Sequence, residues 1–213
     1  LNHLLSIAPE VLGAVLVLDN ASTDGTSEYL AGLQNQRLYV ITPAENLGGA
    51  GGFETAMREA TKRFDPDWLV LMDDDARPVA GTLETFVANP RDDHEGWAAA
   101  VRYPDGRICD MNRPWINPFR SVRDLFRSLR HGRDGFHMND EDYSADTARD
   151  IDGASFVGLF LSRRAVARAG YPDGSLFLYG DDVLYTLGLS QAGGRIGFDP
   201  ALTFEHDCAT LSG

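Results

Sequence analysis

Short apolar runs alternate with amphipathic stretches through the first hundred residues, and turn-forming residues mark nearly every change. Ala14-Val15-Leu16-Val17-Leu18 is rich in branched side chains and stops at Asp19-Asn20. A run this short, with no polar alternation, predicts a strand buried on both faces. Ser22-Thr23-Asp24-Gly25 then offers capping groups for a helix over 26–33. Residues 38–42 read as a second strand, the glycine-rich 46–52 as a loop, 53–64 as a helix, and 67–72 as a third strand that runs into Asp73-Asp74-Asp75. Pro78 and Thr82 open another helix, and 97–101 is a fourth strand. This alternation with short connections predicts a parallel α/β sheet. Ligands of such sheets bind beyond the carboxyl ends of the strands. Asp19-Asn20 and the Asp triplet fall at such ends, and Asn46 lies just past the second one.

The regular pattern lapses over 104–150, which is polar and rich in arginine and carries one helical pattern, over 118–131. It reads as an insertion or a mobile segment. Periodicity returns with a strand over 154–161, a helix over 163–169 stopped by Gly170, and a helix over 181–192 stopped by Gly193-Gly194. Two short strands over 195–198 and 202–205 complete it. The expected organisation is a single domain over 1–213: one half over 1–101, the arginine-rich insertion over 102–150, and a second half over 151–213.

Composition narrows the function. The 213 residues are 43% hydrophobic and 24% charged, which is ordinary for a globular chain. No apolar run approaches the ~18 residues that cross a bilayer. The first ten residues show neither a basic n-region nor a cleavage signal, so no secretory peptide is expected. A formal charge of −13 argues against nucleic acid as a partner, because phosphates would be repelled. An anionic substrate then needs a metal ion or a local basic patch. Such a patch exists: eight arginines lie between Arg102 and Arg133 against three aspartates. Cys109 and Cys208 show no metal-ligand spacing and predict neither a disulfide framework nor a zinc cluster.

The Asp triplet is the strongest local feature. Three adjacent carboxylates repel one another unless a cation sits among them, and hard oxygen ligands suit Mg²⁺ or Mn²⁺. In extended backbone Asp73 and Asp75 face one way and Asp74 the other. An acidic loop that merely caps the next helix is the alternative. The 46–52 glycines allow close backbone approach to an anion at a helix start, or simply form a flexible loop. No lysine follows, so this is not a P-loop. Asp181-Asp182 opens a helix, where a carboxylate either caps or serves as a general base. His206 either forms structural hydrogen bonds or completes a carboxylate metal site. Phe119, Val122, Phe126 and Leu129 share helical spacing with Arg120, Arg123, Arg127 and Arg130. That pattern suits a helix packed on the domain with solvated arginines, or a peripheral contact with an anionic lipid surface or a phosphorylated acceptor.

Together these residues resemble glycosyltransferase family 2, inverting enzymes with the GT-A fold. Leu18 to Thr26 is similar to the family's V-D-N-x-S-x-D-G-T element, and Asn46 to Gly52 to its N-x-G-x-x-x-G loop. Met72-Asp73-Asp74-Asp75-Ala76 resembles its D-x-D element, residues 153–164 its G-A-x-x-x-x-x-R strand, and 177–183 its F-x-x-x-[ED]-D segment. Leu184 stands where the family often has a further acid. The resemblance implies a Rossmann-like, mixed, mostly parallel sheet flanked by helices. It also implies a strand ahead of Leu1 in relatives, with this chain starting in the helix after it. It assigns Asp19, Asn20, Asn46 and Gly48 to the nucleotide, Asp73 and Asp75 to Mn²⁺ or Mg²⁺ and the diphosphate, and Asp74 to the sugar or ribose. Asp182 would be the base, Asp181 its support at the acceptor, and His206 a further metal ligand. The motif forms look closest to bacterial galactofuranosyl- and rhamnosyltransferases of cell-surface polysaccharide synthesis. Partners would be a nucleotide-diphosphate sugar and a glycan or polyprenyl-linked acceptor, and the location cytoplasmic, at the inner face of the plasma membrane. Two alternatives stand beside this: an inactive nucleotide- or glycan-binding domain of the same fold, and a sugar-phosphate nucleotidyltransferase. The second lacks the basic glycine-rich signature near its start.

Overall fold

The computed structural model describes residues 1–89, 91–119, 122–177 and 180–208. Arg120 of the basic helical pattern, and Leu178 and Tyr179 of the 177–183 segment, lie outside them. The chain divides into two compact units, one of residues 1–66 and 171–181, the other of 67–170 and 182 onward.

In the first unit α1 (Asn2–Ser6) precedes β1 (Val15–Leu18), α2 (Thr26–Gly32), β2 (Leu38–Ile41) and α3 (Gly48–Phe64). β1 and β2 pair in parallel from Val15↔Leu38 to Leu18↔Ile41, the β–α–β unit expected from their apolar runs. α3 begins at Gly48, so the glycines form its opening turns instead of a loop. Packing explains this. Gly48 has φ +71°, and a Cβ there would meet the Phe177 carbonyl oxygen at 2.1 Å. A Cβ on Gly174 would meet the Glu54 carboxylate at 2.4 Å. Glycine on both sides lets α3 and the 171–181 segment approach closely, sealed by Ala50 N–H donating to Phe177 O at 3.1 Å.

The second unit holds β3 (Trp68–Leu71), β4 (Ala76–Pro78), α4 (Thr82–Ala88), β5 (Gly96–Arg102), α5 (Val122–His131), β6 (Arg149–Ile151), β7 (Leu159–Ser162), α6 (Arg163–Ala169), α7 (Asp181–Gln191) apart from its first residue, and β8 (Ile196–His206). The strand order is β3-β7-β5-β8-β4, with β6 also on β8. The sheet is mixed: β5 and β8 run parallel, and the other pairings are antiparallel. A mixed sheet is what the family resemblance implies; the reversal arises because β7 returns between β3 and β5. The core is aromatic. Phe86 stacks on Phe160 at 4.1 Å, and Phe160 meets Phe204 edge-on at 6.1 Å.

Three boundaries differ from the sequence reading, each for a local reason. Pro78 ends β4 instead of opening a helix. β4 is last in the strand order, where a missing N–H is tolerated. Residues 195–198 and 202–205 belong to one strand, because the β5–β8 register jumps from Ala99↔Asp199 to Ala100↔Thr203 and the Pro200 stretch bulges out. β7 starts only at Leu159, since Gly158, at φ +70°, breaks the extended backbone before it. The 104–150 segment is anchored to the fold and is no mere excursion. It supplies β6 and buries Cys109, Asn112, Met138 and Tyr143.

Phe204 is fully buried, while Val87 is 55% exposed. Phe204→Ala is expected to lower unfolding free energy by about 3–5 kcal/mol, and Val87→Ala by less than about 0.5 kcal/mol. Urea denaturation of the full chain reads both, and similar midpoints for the two variants would contradict this core.

Candidate active site

The chemistry of the second unit gathers at the ends of β3 and β8. After β3 the chain turns, with Ala76 N–H donating to Asp73 O at 3.2 Å, and enters β4. β4 pairs with β8 in the register Ala76↔His206, and Asp207 N–H donates to Asp75 O at 3.0 Å. Strand pairing thus sets His206 beside the Asp triplet. One carboxylate oxygen each from Asp73 and Asp75 and a ring nitrogen of His206 lie within 4.8 Å of one another. The His206 Nε2 to Asp75 Oδ1 distance is 3.0 Å. Asp74 is exposed.

The electrostatics fit a cation. Asp73 is not sealed from water, yet enough protein surrounds its carboxyl to disfavour the charge. That desolvation outweighs the pull of His206 and, with the like charges of Asp75, Asp74 and Asp182, lifts its pKa from 3.8 to about 6. His206 is raised too, by its hydrogen bond with Cys109 and by the charges of Asp75 and Asp73, against burial. The Asp73 carboxyl, held back from ionising, together with the Asp75 carboxylate and an imidazole, forms a donor set that suits a hard divalent ion. Asp182, near the start of α7, is close enough for its charge to act on Asp73. Its carbonyl accepts from the Thr186 hydroxyl at 2.7 Å. Asp181 is buried at the first position of the same helix.

Asn112 is a residue the sequence did not single out. Arg102 bridges Ile108 across a tight hairpin after β5, and Cys109 N–H donates to Val101 O at 3.0 Å. Because β5 lies beside β8, this hairpin carries Asn112 to His206. The Asn112 amide donates to Ser155 Oγ at 2.9 Å, which turns its oxygen toward His206 Nδ1 at 2.8 Å. An acceptor there keeps the proton on Nδ1 in the neutral ring and leaves the Nε2 lone pair facing the carboxylates. No spacing rule links Asn112 to His206, so only the sheet reveals the pair.

In the first unit Asp19, Asn20, Asn46 and Gly48 form one network at the end of β1. Asp19 is buried and accepts from Ser22 N–H at 3.1 Å and from the Ser27 hydroxyl. Hydrogen bonds from Ser22 and Ser27 hold its carboxyl below the usual range. Asn20 donates to Gly48 O at 3.0 Å and accepts from Leu47 N–H at 2.8 Å. Asn46 accepts from Gly48 N–H at 2.8 Å. These side chains fix the first turn of α3 against β1.

The model of the family described as "Glycosyl transferase family 2" matches residues 12–143. The chain belongs to glycosyl transferase family 2. It is similar to galactofuranosyltransferase GlfT1 of Mycolicibacterium smegmatis, 26% identical over 92% of this chain and 62% of that protein. It is likewise similar to galactofuranosyltransferase GlfT1 of Mycobacterium tuberculosis, 27% identical over 92% of this chain and 61% of the relative. The chain therefore spans about three fifths of the length of these curated relatives. Among solved structures, GalNAc-T7 with UDP, GalNAc and Mn²⁺ superposes with a TM-score of 0.65 at 13% identity, over 94% of this chain and 39% of that one. Staphylococcus aureus TarS 1–349 with UDP gives 0.56 at 16%, over 87% and 48%. These likenesses establish the GT-A fold.

The shifts of Asp73 and His206 have one sign for the metal-free protein. A carboxyl raised from 3.8 to about 6 holds its proton more tightly when folded, so its contribution favours the fold below pH ~4 and is lost as pH rises through 6. A raised His206 likewise stabilises below the ordinary histidine range and loses this as pH climbs through its folded pKa. Mn²⁺ held by this donor set would need both groups unprotonated. Its thermal stabilisation of the full chain is therefore expected to be small at pH 5 and large at pH 7.5. Equal melting shifts at the two pH values would contradict this donor set.

Proposed function

We propose that this chain forms the nucleotide-sugar-transferring part of a metal-dependent, inverting glycosyltransferase. The reaction moves galactofuranose from a nucleotide-diphosphate donor to a glycan or polyprenyl-linked acceptor in cell-surface polysaccharide synthesis. One observation carries the reading: the Asp73, Asp75 and His206 donor atoms cluster within 4.8 Å, with Asp182 charge-coupled to Asp73. The relatives described as galactofuranosyltransferases support the sugar, and the neighbours solved with UDP support a uridine nucleotide.

Asp73, Asp75 and the Nε2 of His206 would hold the ion, with Asn112 fixing the tautomer of the imidazole. A Mn²⁺ or Mg²⁺ bound there supplies positive charge against the diphosphate as it leaves. Asp74, exposed between the two ligands, is free to reach the sugar or ribose. Asp19, Asn20, Asn46 and Gly48 shape a rigid edge at the end of β1 for the nucleotide, and Asp181 supports the acceptor. The Asp182 carboxylate takes the proton from the acceptor hydroxyl as its oxygen attacks the anomeric carbon. Attack on the face opposite the leaving diphosphate inverts that carbon.

Asp182→Asn removes the base and keeps the shape. Transfer is expected to fall by roughly 10²–10⁴-fold while donor binding, read by calorimetry with Mn²⁺, stays near wild type. An Asn variant that transfers sugar at the normal rate would sink the base assignment.

The location we propose is the cytoplasmic face of the plasma membrane, reached through residues 118–131. Phe119, Phe126 and Leu129 support it, being 79%, 67% and 73% exposed. No described helix is long and apolar enough to cross a membrane. Phe126→Glu with Leu129→Glu is expected to weaken co-sedimentation with anionic vesicles roughly tenfold or more, since burying each such side chain contributes about 1.5–3 kcal/mol. Unchanged sedimentation would exclude this contact.

A further inference from the structure

On the side of His206 away from Asp75 lies a second set of donors, of different chemistry. Cys109 is fully buried and Cys208 half-buried, and neither is in a disulfide. Their sulfurs are 3.9 Å apart, and both lie, with a ring nitrogen of His206, in a group of donor atoms all within 4.8 Å of one another. A disulfide requires about 2.05 Å between sulfurs. Two thiolates each about 2.3 Å from a tetrahedral zinc stand about 3.8 Å apart. The observed spacing is that of a thiol–thiol hydrogen bond, and it also matches two ligands of one ion. A further sulfur is at hand, since the Cys208 thiol donates to Met111 Sδ at 3.4 Å.

The two rims of the imidazole serve different neighbours. Nε2 faces Asp75 at 3.0 Å. Nδ1 faces Asn112 Oδ1 at 2.8 Å, and the same oxygen accepts from the Cys109 thiol at 3.0 Å, so Nδ1 lies on the cysteine side. Oxygen donors on one rim select a hard cation, and sulfur donors on the other a thiolate-seeking one.

We propose that Cys109, Cys208 and His206 form a second metal site, for a thiolate-seeking cation of the Zn²⁺ class, and that filling it withdraws His206 from the Asp73–Asp75 site. On binding, both thiols release their protons to solvent. Coordination through Nδ1 moves the remaining ring proton to Nε2, which then donates to Asp75 and has no lone pair left for a second ion. A neutral ring has one lone pair and carries one ion at a time, so each cation opposes the other, and the coupling is reciprocal. The thiolate site stands on its own geometry; only the opposition rests on the proposed role of Asp73, Asp75 and His206.

Cd²⁺ is the probe, because its thiolate complexes absorb in the ultraviolet and its oxygen complexes do not. The reduced full chain is expected to develop a thiolate-to-cadmium band that saturates at one equivalent, and Cys208→Ser to lose it. Asp73→Asn with Asp75→Asn should keep the full band. Saturating Mn²⁺ should move the Cd²⁺ midpoint of the wild type upward by roughly tenfold, and leave that of the double Asn variant unmoved. Absence of the band, or its persistence in Cys208→Ser, overturns the site. A full band whose midpoint ignores Mn²⁺ overturns the opposition. Mn²⁺ binding followed alone by paramagnetic resonance shows separately whether the oxygen site exists.

Discussion

The second unit is organised around a repulsion. Asp73, Asp74 and Asp75 follow β3 without a spacer, and Asp182 adds its charge to theirs. Left alone, these groups would push the turn apart. Backbone pairing opposes this: the Ala76 N–H bond to Asp73, the β4–β8 register and the Asp207 N–H bond to Asp75 lock the chain on both sides of the triplet. The backbone therefore holds these carboxylates together against their mutual repulsion. The imidazole of His206 offsets part of that repulsion at Asp73. A divalent ion placed there would meet donors already gathered, which is the condition for electrostatic stabilisation of a leaving anion.

The rest of that unit serves the same register. β8 must present His206 opposite Ala76, and it does so after a bulge at Pro200 that shifts its pairing with β5. Without the bulge, side chains beyond Asp199 would pair with different partners on β5. The small side chain of Ala99 lies between Trp97 and Val101 on the face of β5 that pairs with Phe160 and Phe204, and leaves room for that aromatic layer. Core packing and site geometry are thus set by the same strand. In the first unit the equivalent device is polar: Asn20 and Asn46 hold the opening turn of α3, and glycine at 48 makes the approach possible.

What the sequence discloses and what it hides follow a physical division. Elements dictated by local pattern are legible: the branched run of β1, the apolar run of β3 into the Asp triplet, and α6 between its Ser162 cap and Gly170. Residues of β3, β8 and α7 could be nominated because their types are chemically rare in such positions and because the motif order resembles a family. Misreadings arise where tertiary context overrides propensity. Glycines that look like a loop become helix when a neighbouring segment needs their bare backbone. A proline that signals a helix start sits on a sheet edge instead. Cys109, Asn112 and Cys208 were illegible as a group, because Asn112 and His206 are 94 positions apart and meet only through β5–β8 pairing.

His206 is where these constraints intersect. Its backbone belongs to the sheet, one ring nitrogen faces oxygen donors, and the other faces Asn112 and the thiols. A lysine or arginine could offset the carboxylate charge, but neither has a lone pair to offer an ion. A further carboxylate would add to the repulsion. Imidazole alone is able to be neutral, to ligate, and to have its free nitrogen chosen by a hydrogen bond on the far side of the ring. Asn112, whose oxygen makes this choice, lies outside every motif that marks the family resemblance. The motifs position the carboxylates, whereas Asn112 sets which ring nitrogen carries the proton and which lone pair faces them.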